Sequence, residues 1–166
     1  MGPGPDLGGL RNWKLDLRQP SATFVDHRLV DAQGYHYQFD FPFIAPGRIA
    51  RRHRFVYGVA PYAKNSTRYE DWALVKIDTD QTGQPGQPSV QPWFENAHYP
   101  SEPIFVPHPN ASAEDDGVLL SQVLDGMRRT SYLLLLDART MQRLAAAYLP
   151  EGQVTTYSQH GMWFPH

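Results

Sequence analysis

Two carboxylates and one imidazole follow one another along the chain at intervals of about 60 residues. They are Asp40 in QFDFPF, Glu102 in PSEPIFV and His160 in SQHGMW. Imidazole is a common ligand of transition metals, and a carboxylate that accepts a hydrogen bond from a ligating imidazole fixes its tautomer and orientation. If the three side chains meet in the fold, they predict a metal site or its immediate surroundings. A lone His160 would more often be a buried histidine bonded to a backbone carbonyl, so the hypothesis depends on the spacing.

An internal repeat predicts that the three side chains do meet. An apolar run ending in aspartate occurs three times, as WKLDL with Asp16, LVKIDT with Asp78 and LLLLDA with Asp137. The two carboxylates and the histidine follow these aspartates by 24, 24 and 23 positions. Each repeat holds about four strand-like segments, and four-stranded sheets in series are typical of a β-propeller. The innermost strands of propeller blades line one axis, so equivalent residues on them are expected to converge.

Short segments rich in β-branched and aromatic residues, bounded by Gly, Pro, Asp and Asn, predict an all-β chain. The expected strands lie at 12–17, 23–30, 37–43, 54–60, 72–78, 89–95, 102–108, 117–125, 131–137 and 155–164. Residues 139–149 (RTMQRLAAAYL) fit either a helix or a strand after a turn. The repeat predicts one domain, 1–166, made of about three blades of a partial β-propeller, without a separate second domain.

Composition excludes several functional classes. The net charge of −2 and the shortness of the basic clusters give no electrostatic support for nucleic-acid binding. The chain has no cysteine, which excludes disulfides and thiolate metal sites. The longest apolar run, in SYLLLLDA, is far too short for a transmembrane segment, and no signal-peptide pattern opens the sequence, so an intracellular protein is expected. A nucleophile elbow, a phosphate-binding glycine loop and an HExxH motif are also missing from the sequence.

The other candidate ligands are expected to be ordinary surface groups. The remaining histidines share no position of the repeat and are predicted to lie on the surface or in loops: His27, His36, His53, His98, His108 and His166. Glu114, Asp115 and Asp116 in SAEDDGV resemble part of a calcium loop but lack its alternating ligand spacing. This acidic run is therefore expected to be a solvated turn before the next strand.

Several motifs match one known family in order and spacing: YPSEPIFVPHPNASAEDDGVLLSQVLD, LLLLDARTMQRLAAAYLP and QHGMWF. With them the sequence resembles the carotenoid cleavage oxygenases, which include carotene dioxygenases, apocarotenoid oxygenases and the retinal pigment epithelium isomerohydrolase. LRNWKLDL, FDFPFI and RRHRFVYGVA resemble the preceding part of the family more weakly. The resemblance covers nearly the whole chain, but only about the last third of a family member.

This resemblance implies a seven-bladed propeller with one Fe(II) on its axis, bound by four histidines. His160 matches the last of these ligands, in the His-Gly context of the family. Glu102 matches a glutamate that accepts a hydrogen bond from a ligand histidine, and Asp40 stands where the family usually has another such glutamate. Asp40 is one methylene shorter, and Gln159 replaces a usual aromatic residue. The three other ligand histidines belong to blades upstream of this chain.

The resemblance also implies an activity. Family members use ferrous iron to activate O2 and cleave a conjugated double bond of an apolar polyene, a carotenoid or apocarotenoid, giving aldehydes or ketones. The chain would then be a fragment that needs the remaining blades and is inactive when isolated. It would act in the cytoplasm or a plastid, and a membrane-peripheral position of the complete protein stays open. The alternative is a truncated, catalytically inactive propeller fragment that serves as a binding or interaction module. A generic all-β domain with a coincidental repeat is the third interpretation.

Overall fold

The computed structural model of the protein describes residues 9–62, 71–82, 84 and 86–164. Over these ranges the regular structure is β-strand, apart from a short 3-10 turn at Pro46–Arg48. The strands are β1 Leu10–Asp16, β2 Ser21–His27, β3 Asp40–Phe43, β4 Phe55–Pro61, β5 Trp72–Asp78, β6 Val90–Trp93, β7 His98–Pro100, β8 Ile104–Pro107, β9 Gly117–Asp125, β10 Thr130–Asp137 and β11 Arg143–Tyr148. No helix in the described ranges is long and apolar enough to cross a membrane.

The strands form three antiparallel sheets that follow one another along the chain. β1 and β2 form a two-stranded hairpin, and β3 to β6 form a four-stranded sheet in sequence order. In the five-stranded sheet β10 lies between β9 and β11, while β7 and β8 both pair with β9. Successive antiparallel sheets of about four strands are the arrangement of propeller blades. The prediction of an all-β partial propeller is therefore confirmed.

The four- and five-stranded sheets share one hydrophobic core. Tyr57 of β4 stacks on Phe105 of β8 with ring centroids 5.7 Å apart, and its hydroxyl donates to the carbonyl of Ala138 at 3.3 Å. Burial raises the pKa of the Tyr57 hydroxyl. Further core side chains come from both sheets: Val59, Leu74, Trp93, Leu119, Val123, Tyr132, Leu134 and Leu136. Because close-packed side chains resist displacement, the two sheets are fixed against each other.

Strand β5 is buried on both faces and carries a lysine toward the shared core. Ala73, Val75 and Ile77 pack into a second cluster on the far face, and Leu74 packs into the core between the sheets. Side chains alternate along a strand, so Lys76 lies on the same face as Leu74. Only 7% of the Lys76 side chain is exposed. A charge in that position requires a partner.

The acidic run before β9 supplies that partner. The Nζ of Lys76 lies 2.7 Å from Asp115 Oδ2, and the Asp115 side chain is 12% exposed. Glu114 Oε1 accepts the backbone N–H groups of Arg54 and Phe55, both at 2.7 Å, at the start of β4. The expectation of a solvated turn is therefore wrong, because this run joins the five-stranded sheet to the four-stranded one.

The three aspartates of the repeat end their strands in the same way. Asp16 ends β1, Asp78 ends β5 and Asp137 ends β10. In each case Oδ1 accepts the backbone N–H two residues later, at 2.8, 3.1 and 2.9 Å. An aspartate that closes a turn with its own side chain explains why this residue type recurs at strand ends. The division of 1–166 into a single domain of about 60-residue repeats stays a prediction.

Two segments differ from the simplest reading of the sequence. Residues 139–149 form a turn and strand β11, so the strand alternative is correct there. Residues 155–164 do not form the expected strand, since this segment pairs with no backbone neighbour among the described residues. A strand exists only where an adjacent backbone exchanges hydrogen bonds with it. We name residues 154–164 the C-terminal arm.

Candidate metal centre

The three candidate residues come from three different structural elements. Asp40 is the first residue of β3 in the four-stranded sheet. Glu102 lies between β7 and β8 in the five-stranded sheet, and His160 lies on the C-terminal arm. The shared core holds the two sheets in place, and the arm contacts both of them.

Glu102 and His160 are in direct contact. The Nδ1 atom of His160 lies 3.4 Å from Glu102 Oε2, and the same oxygen accepts the backbone N–H of Gly161 at 3.2 Å. The Glu102 side chain is 9% exposed and that of His160 is 82% exposed. A carboxylate only accepts hydrogen bonds, so this contact favours the tautomer with the proton on Nδ1. The Nε2 lone pair is then left for another partner.

Asp40 lies at a β-bulge in β3. Asp40 pairs with Val59 and Phe43 pairs with Tyr57, which leaves Phe41 in a left-handed conformation with φ of 53°. Asp40 Oδ1 accepts the backbone N–H of Phe41 at 2.8 Å. An aromatic residue with positive φ is unusual and needs support from its surroundings. The Asp40 carboxylate therefore stabilises its own bulge.

The ring of Phe41, the residue after Asp40, packs against two rings of the arm. The Phe41 ring lies 6.3 Å from the His160 ring and 6.1 Å from the Tyr157 ring, measured between centroids. Burial raises the pKa of Tyr157, and the charges of Asp40 and Glu102 raise it further. The ring that follows Asp40 therefore contacts the arm beside His160. Among the three predicted residues, the structure gives direct side-chain contact for Glu102 with His160.

The C-terminal arm is held by side chains, in place of a strand ladder. Three of its backbone N–H groups, each three residues after the last, donate to side-chain oxygens: Thr155 to Ser131 Oγ at 3.1 Å, Ser158 to Ser101 Oγ at 3.2 Å and Gly161 to Glu102 Oε2 at 3.2 Å. Gln122 Nε2 also donates to the carbonyl of Thr156. These four contacts anchor the arm backbone to the five-stranded sheet.

The glycine after His160 has a steric reason. A Cβ atom at Gly161 would lie 2.5 Å from Cδ1 of Ile104 in β8. Such a separation is far below van der Waals contact, so a side chain at position 161 would require the flexible end of Ile104 or the arm itself to shift. The pair His160-Gly161 therefore lets the arm approach β8 closely at the point where the imidazole meets Glu102.

Sequence reasoning missed Phe41, Tyr157 and Ser101. Phe41 is adjacent to Asp40 in FDFPF, and Ser101 is adjacent to Glu102 in PSEPIFV. Tyr157 comes three residues before His160. The only sequence signal for these three residues was their position, within three residues of a candidate site residue. Their residue types do not indicate metal chemistry, and their contacts arise only from the fold.

Three of the described histidines outside the cluster are only partly exposed: His27, His53 and His98. His98 has 13% of its side chain exposed, and its Nε2 lies 3.5 Å from Glu95 and 3.6 Å from Asp125. Burial lowers the pKa of His27. His166 lies outside the described residues. None of these positions adds a ligand to His160.

The residues of this chain fit one ligand position of a metal site. No group of three His, Cys, Asp or Glu side chains in the described part of the chain has the geometry to hold a metal ion. His160 nevertheless has the features of a single ligand, because one nitrogen faces a carboxylate and the ring is largely exposed. A complete site of four histidines would need three imidazoles from outside the described residues.

Comparison with known proteins identifies the family of the chain. The family model of the retinal pigment epithelial membrane protein matches residues 3–165. A carotenoid dioxygenase of Neurospora crassa is 41% identical over 110 residues, which are 65% of this chain and 16% of the relative. An apocarotenoid-15,15'-oxygenase of Synechocystis is 30% identical over 159 residues, which are 95% of this chain and 30% of the relative. The crystal structure of an ACO/RPE65 chimera aligns with a TM-score of 0.75 at 25% identity, over 95% of this chain and 30% of that chain.

The chain spans less than a third of the length of these relatives, from 16% to 30%. The family match nevertheless extends over almost the whole chain, and the ACO/RPE65 chimera aligns over 95% of it. On this evidence the chain belongs to the carotenoid cleavage oxygenase family.

Proposed function

We propose that this chain is part of a non-haem Fe(II) oxygenase that cleaves a conjugated double bond of a carotenoid or apocarotenoid with O2. Relatives named as carotenoid and apocarotenoid oxygenases support the class of reaction. The observation that carries the role of this chain is the contact of His160 Nδ1 with Glu102, which leaves the rest of the imidazole exposed. A histidine held in this way is suited to bind a metal through Nε2.

Each residue of the cluster has a part in the proposed site. His160 would be one of four histidine ligands, and iron bound there would supply the centre that activates O2. Glu102 keeps the proton on Nδ1 and so keeps the lone pair on Nε2. Asp40 is proposed to accept a hydrogen bond from an upstream ligand histidine. Phe41 and Tyr157 offer an apolar wall beside His160, which suits a polyene substrate.

The isolated 166-residue chain is proposed to be inactive. A single imidazole binds a divalent metal weakly, and the proposed site requires four histidine ligands. The two-stranded hairpin β1–β2 and the unpaired C-terminal arm also lack neighbouring strands within the described residues. Stoichiometric iron together with carbonyl products from the purified chain would contradict this part of the proposal.

A graft would test the complete site. Residues 9–164 would replace the matching 30% of the Synechocystis apocarotenoid-15,15'-oxygenase. We expect the graft to bind one iron per chain and to form aldehyde from an apocarotenoid, whereas the relative truncated before this part should do neither. Iron content and product formation are measured by metal analysis and by chromatography.

Two histidine variants of the graft assign the ligand. His160→Ala should lower iron content and product formation by at least about 100-fold, because a direct ligand is lost. His108→Ala is the matched control, since His108 is exposed and its Nδ1 only accepts the backbone N–H of Asn110 at 3.2 Å. Full iron and full activity in His160→Ala would overturn the proposed role of His160.

An interaction module is the second candidate function, and one observation favours it. The hairpin β1–β2 exposes Trp13, Leu15 and Phe24 by 57%, 65% and 50%, and these residues lie on the same face of the hairpin. Exposed apolar faces of this kind mark interaction surfaces. If this function is right, the purified chain is a monodisperse oligomer or complex that melts cooperatively. Aggregated protein without a melting transition would rule it out.

The name of one relative supports a proposal for the cellular location. We propose that the complete protein acts inside the cell, in the cytoplasm or a plastid, because a relative at 32% identity over 136 residues from Arabidopsis thaliana is named chloroplastic. Fractionation of cells that express the complete protein would test this location, and recovery in the secreted fraction would contradict it.

A further inference from the structure

Ser101 is a buried hydroxyl that is fixed on the five-stranded sheet. Only 2% of the residue is exposed. Its backbone N–H donates to the carbonyl of Gln122 at 2.8 Å, and its own carbonyl accepts the hydroxyl of Ser121 at 2.8 Å. Both backbone groups of Ser101 are therefore tied to β9. The Oγ atom is left as a rigid attachment point on the surface that faces the C-terminal arm.

Ser101 and Glu102 accept hydrogen bonds from the arm backbone before and after His160 in the sequence. Ser101 Oγ accepts the backbone N–H of Ser158, two residues before the histidine. Glu102 Oε2 accepts the backbone N–H of Gly161, one residue after it. Because the arm has no strand neighbour in the described part of the chain, its backbone direction at His160 depends on these two contacts.

We propose that Ser101 is a positioning residue for His160. Its hydroxyl fixes the backbone before the histidine, while Glu102 fixes the backbone after it and contacts Nδ1. The imidazole is thereby held toward Phe41, at 6.3 Å between centroids. This inference rests on the proposed function, since the direction of the imidazole matters for chemistry only if His160 is a metal ligand. Ser101 itself would touch neither metal nor substrate.

The chain offers a matched control for this role. Ser131 is also buried, with 1% exposed, and its Oγ accepts the backbone N–H of Thr155 at 3.1 Å. It makes the same type of contact with the same arm, but five residues before His160. A general loss of stability from removing a buried hydroxyl would affect both positions. A positioning role would distinguish Ser101.

The test uses nuclear magnetic resonance on the metal-free 166-residue chain and its variants Ser101→Ala, Ser101→Thr and Ser131→Ala. The readouts are the hydrogen-exchange rates of the arm amides and the nuclear Overhauser effect between the His160 and Phe41 rings. Ser101→Ala should speed exchange of the Ser158 amide about 3- to 10-fold, the effect of losing one hydrogen bond. It should also weaken the ring contact. Ser101→Thr keeps the hydroxyl and should keep both signals.

The outcomes separate this inference from the proposed function. Ser131→Ala should speed exchange at Thr155 and leave the contact between His160 and Phe41 intact. Equal effects of Ser131→Ala and Ser101→Ala on that contact would overturn the inference, and so would an unprotected Ser158 amide in the unmodified chain. This last measurement decides the question even if Ser101→Ala does not fold. Because no iron is present, a failure of the graft to bind iron would count against the proposed function alone.

Discussion

The buried pair Lys76–Asp115 gives the sharpest test of how the two sheets are joined. We consider the substitution Lys76→Met, which keeps the length of the apolar stem and removes the ammonium group. The substitution removes three interactions of Nζ. This atom lies 2.7 Å from Asp115, donates a hydrogen bond to the carbonyl of Arg139 at 3.0 Å, and lies 4.2 Å from the centroid of the Phe55 ring. Asp115 would then be left with a carboxylate that is largely excluded from water.

The size of the effect follows from the surroundings of that carboxylate. Removing one partner of a buried ion pair costs about 3–5 kcal/mol. The Nε atom of Arg139 lies 3.9 Å from Asp115 Oδ1 and remains as a second cation, but its side chain is 56% exposed. Because Arg139 partly replaces the lost cation, the expected loss in the free energy of unfolding lies near the lower end of this range, at about 3 kcal/mol. For a chain of this size that loss lowers the melting temperature by about 6–12 °C.

The assay is chemical and thermal unfolding followed by circular dichroism, with two reference variants. Arg143→Met removes the pair of Arg143 with Glu95, whose side chains are 40% and 34% exposed, and should cost about 1 kcal/mol or less. Lys76→Met combined with Asp115→Leu removes both buried charges and should regain most of the lost stability. If Lys76→Met and Arg143→Met cost the same, the claim that this pair joins the sheets is refuted.

Three further outcomes follow from the same contacts. Gly161→Ala should displace the terminal methyl group of Ile104, because the new Cβ would lie 2.5 Å from Ile104 Cδ1; the measurement is a changed chemical shift of that methyl group. Glu102→Gln should keep the Gly161 N–H contact through its amide oxygen, while Glu102→Ala should lose it, as the chemical shift of the Gly161 amide would report. Burial lowers the pKa of His27 below 6.5 in the folded state, so protonation favours unfolding. Stability should therefore fall as the pH drops through about 6.5, and His27→Gln should reduce that fall in pH-dependent unfolding measurements.

Local pattern predicted the strands well where both neighbours lie within the chain. The expected strand at 117–125 coincides with β9, and 72–78 coincides with β5. The strand expected at 155–164 failed, because its residue types suit a strand while no adjacent backbone is present in the described ranges to pair with it. The short strand β7, His98–Pro100, was not expected, since three residues that end in proline carry almost no pattern.

The repeat predicted one contact that residue types alone do not indicate. The spacing assigned Glu102 and His160 to equivalent positions of the repeat, and their side chains lie 3.4 Å apart in the structure. Spacing could not predict Lys76–Asp115, because a lysine inside an alternating apolar strand and an acidic run before another strand are each compatible with solvent exposure. Only the packing of β5 against the loop before β9 puts the two charges together.

The repeat assigned Asp40 to the candidate site, and the structure shows what its side chain contacts in this chain. Its side chain is too short to extend far from β3, and Oδ1 turns back to the N–H of Phe41. Gly58 on β4 makes room for this bulge, since a Cβ there would lie 2.6 Å from the Asp40 carbonyl oxygen. The bulge in turn directs the Phe41 ring toward His160 and Tyr157. In this structure Asp40 therefore shapes the cluster through the aromatic ring that follows it, and the proposed hydrogen bond from an upstream histidine requires an imidazole that approaches β3 closely. A longer glutamate at this position would reach such an imidazole from farther away.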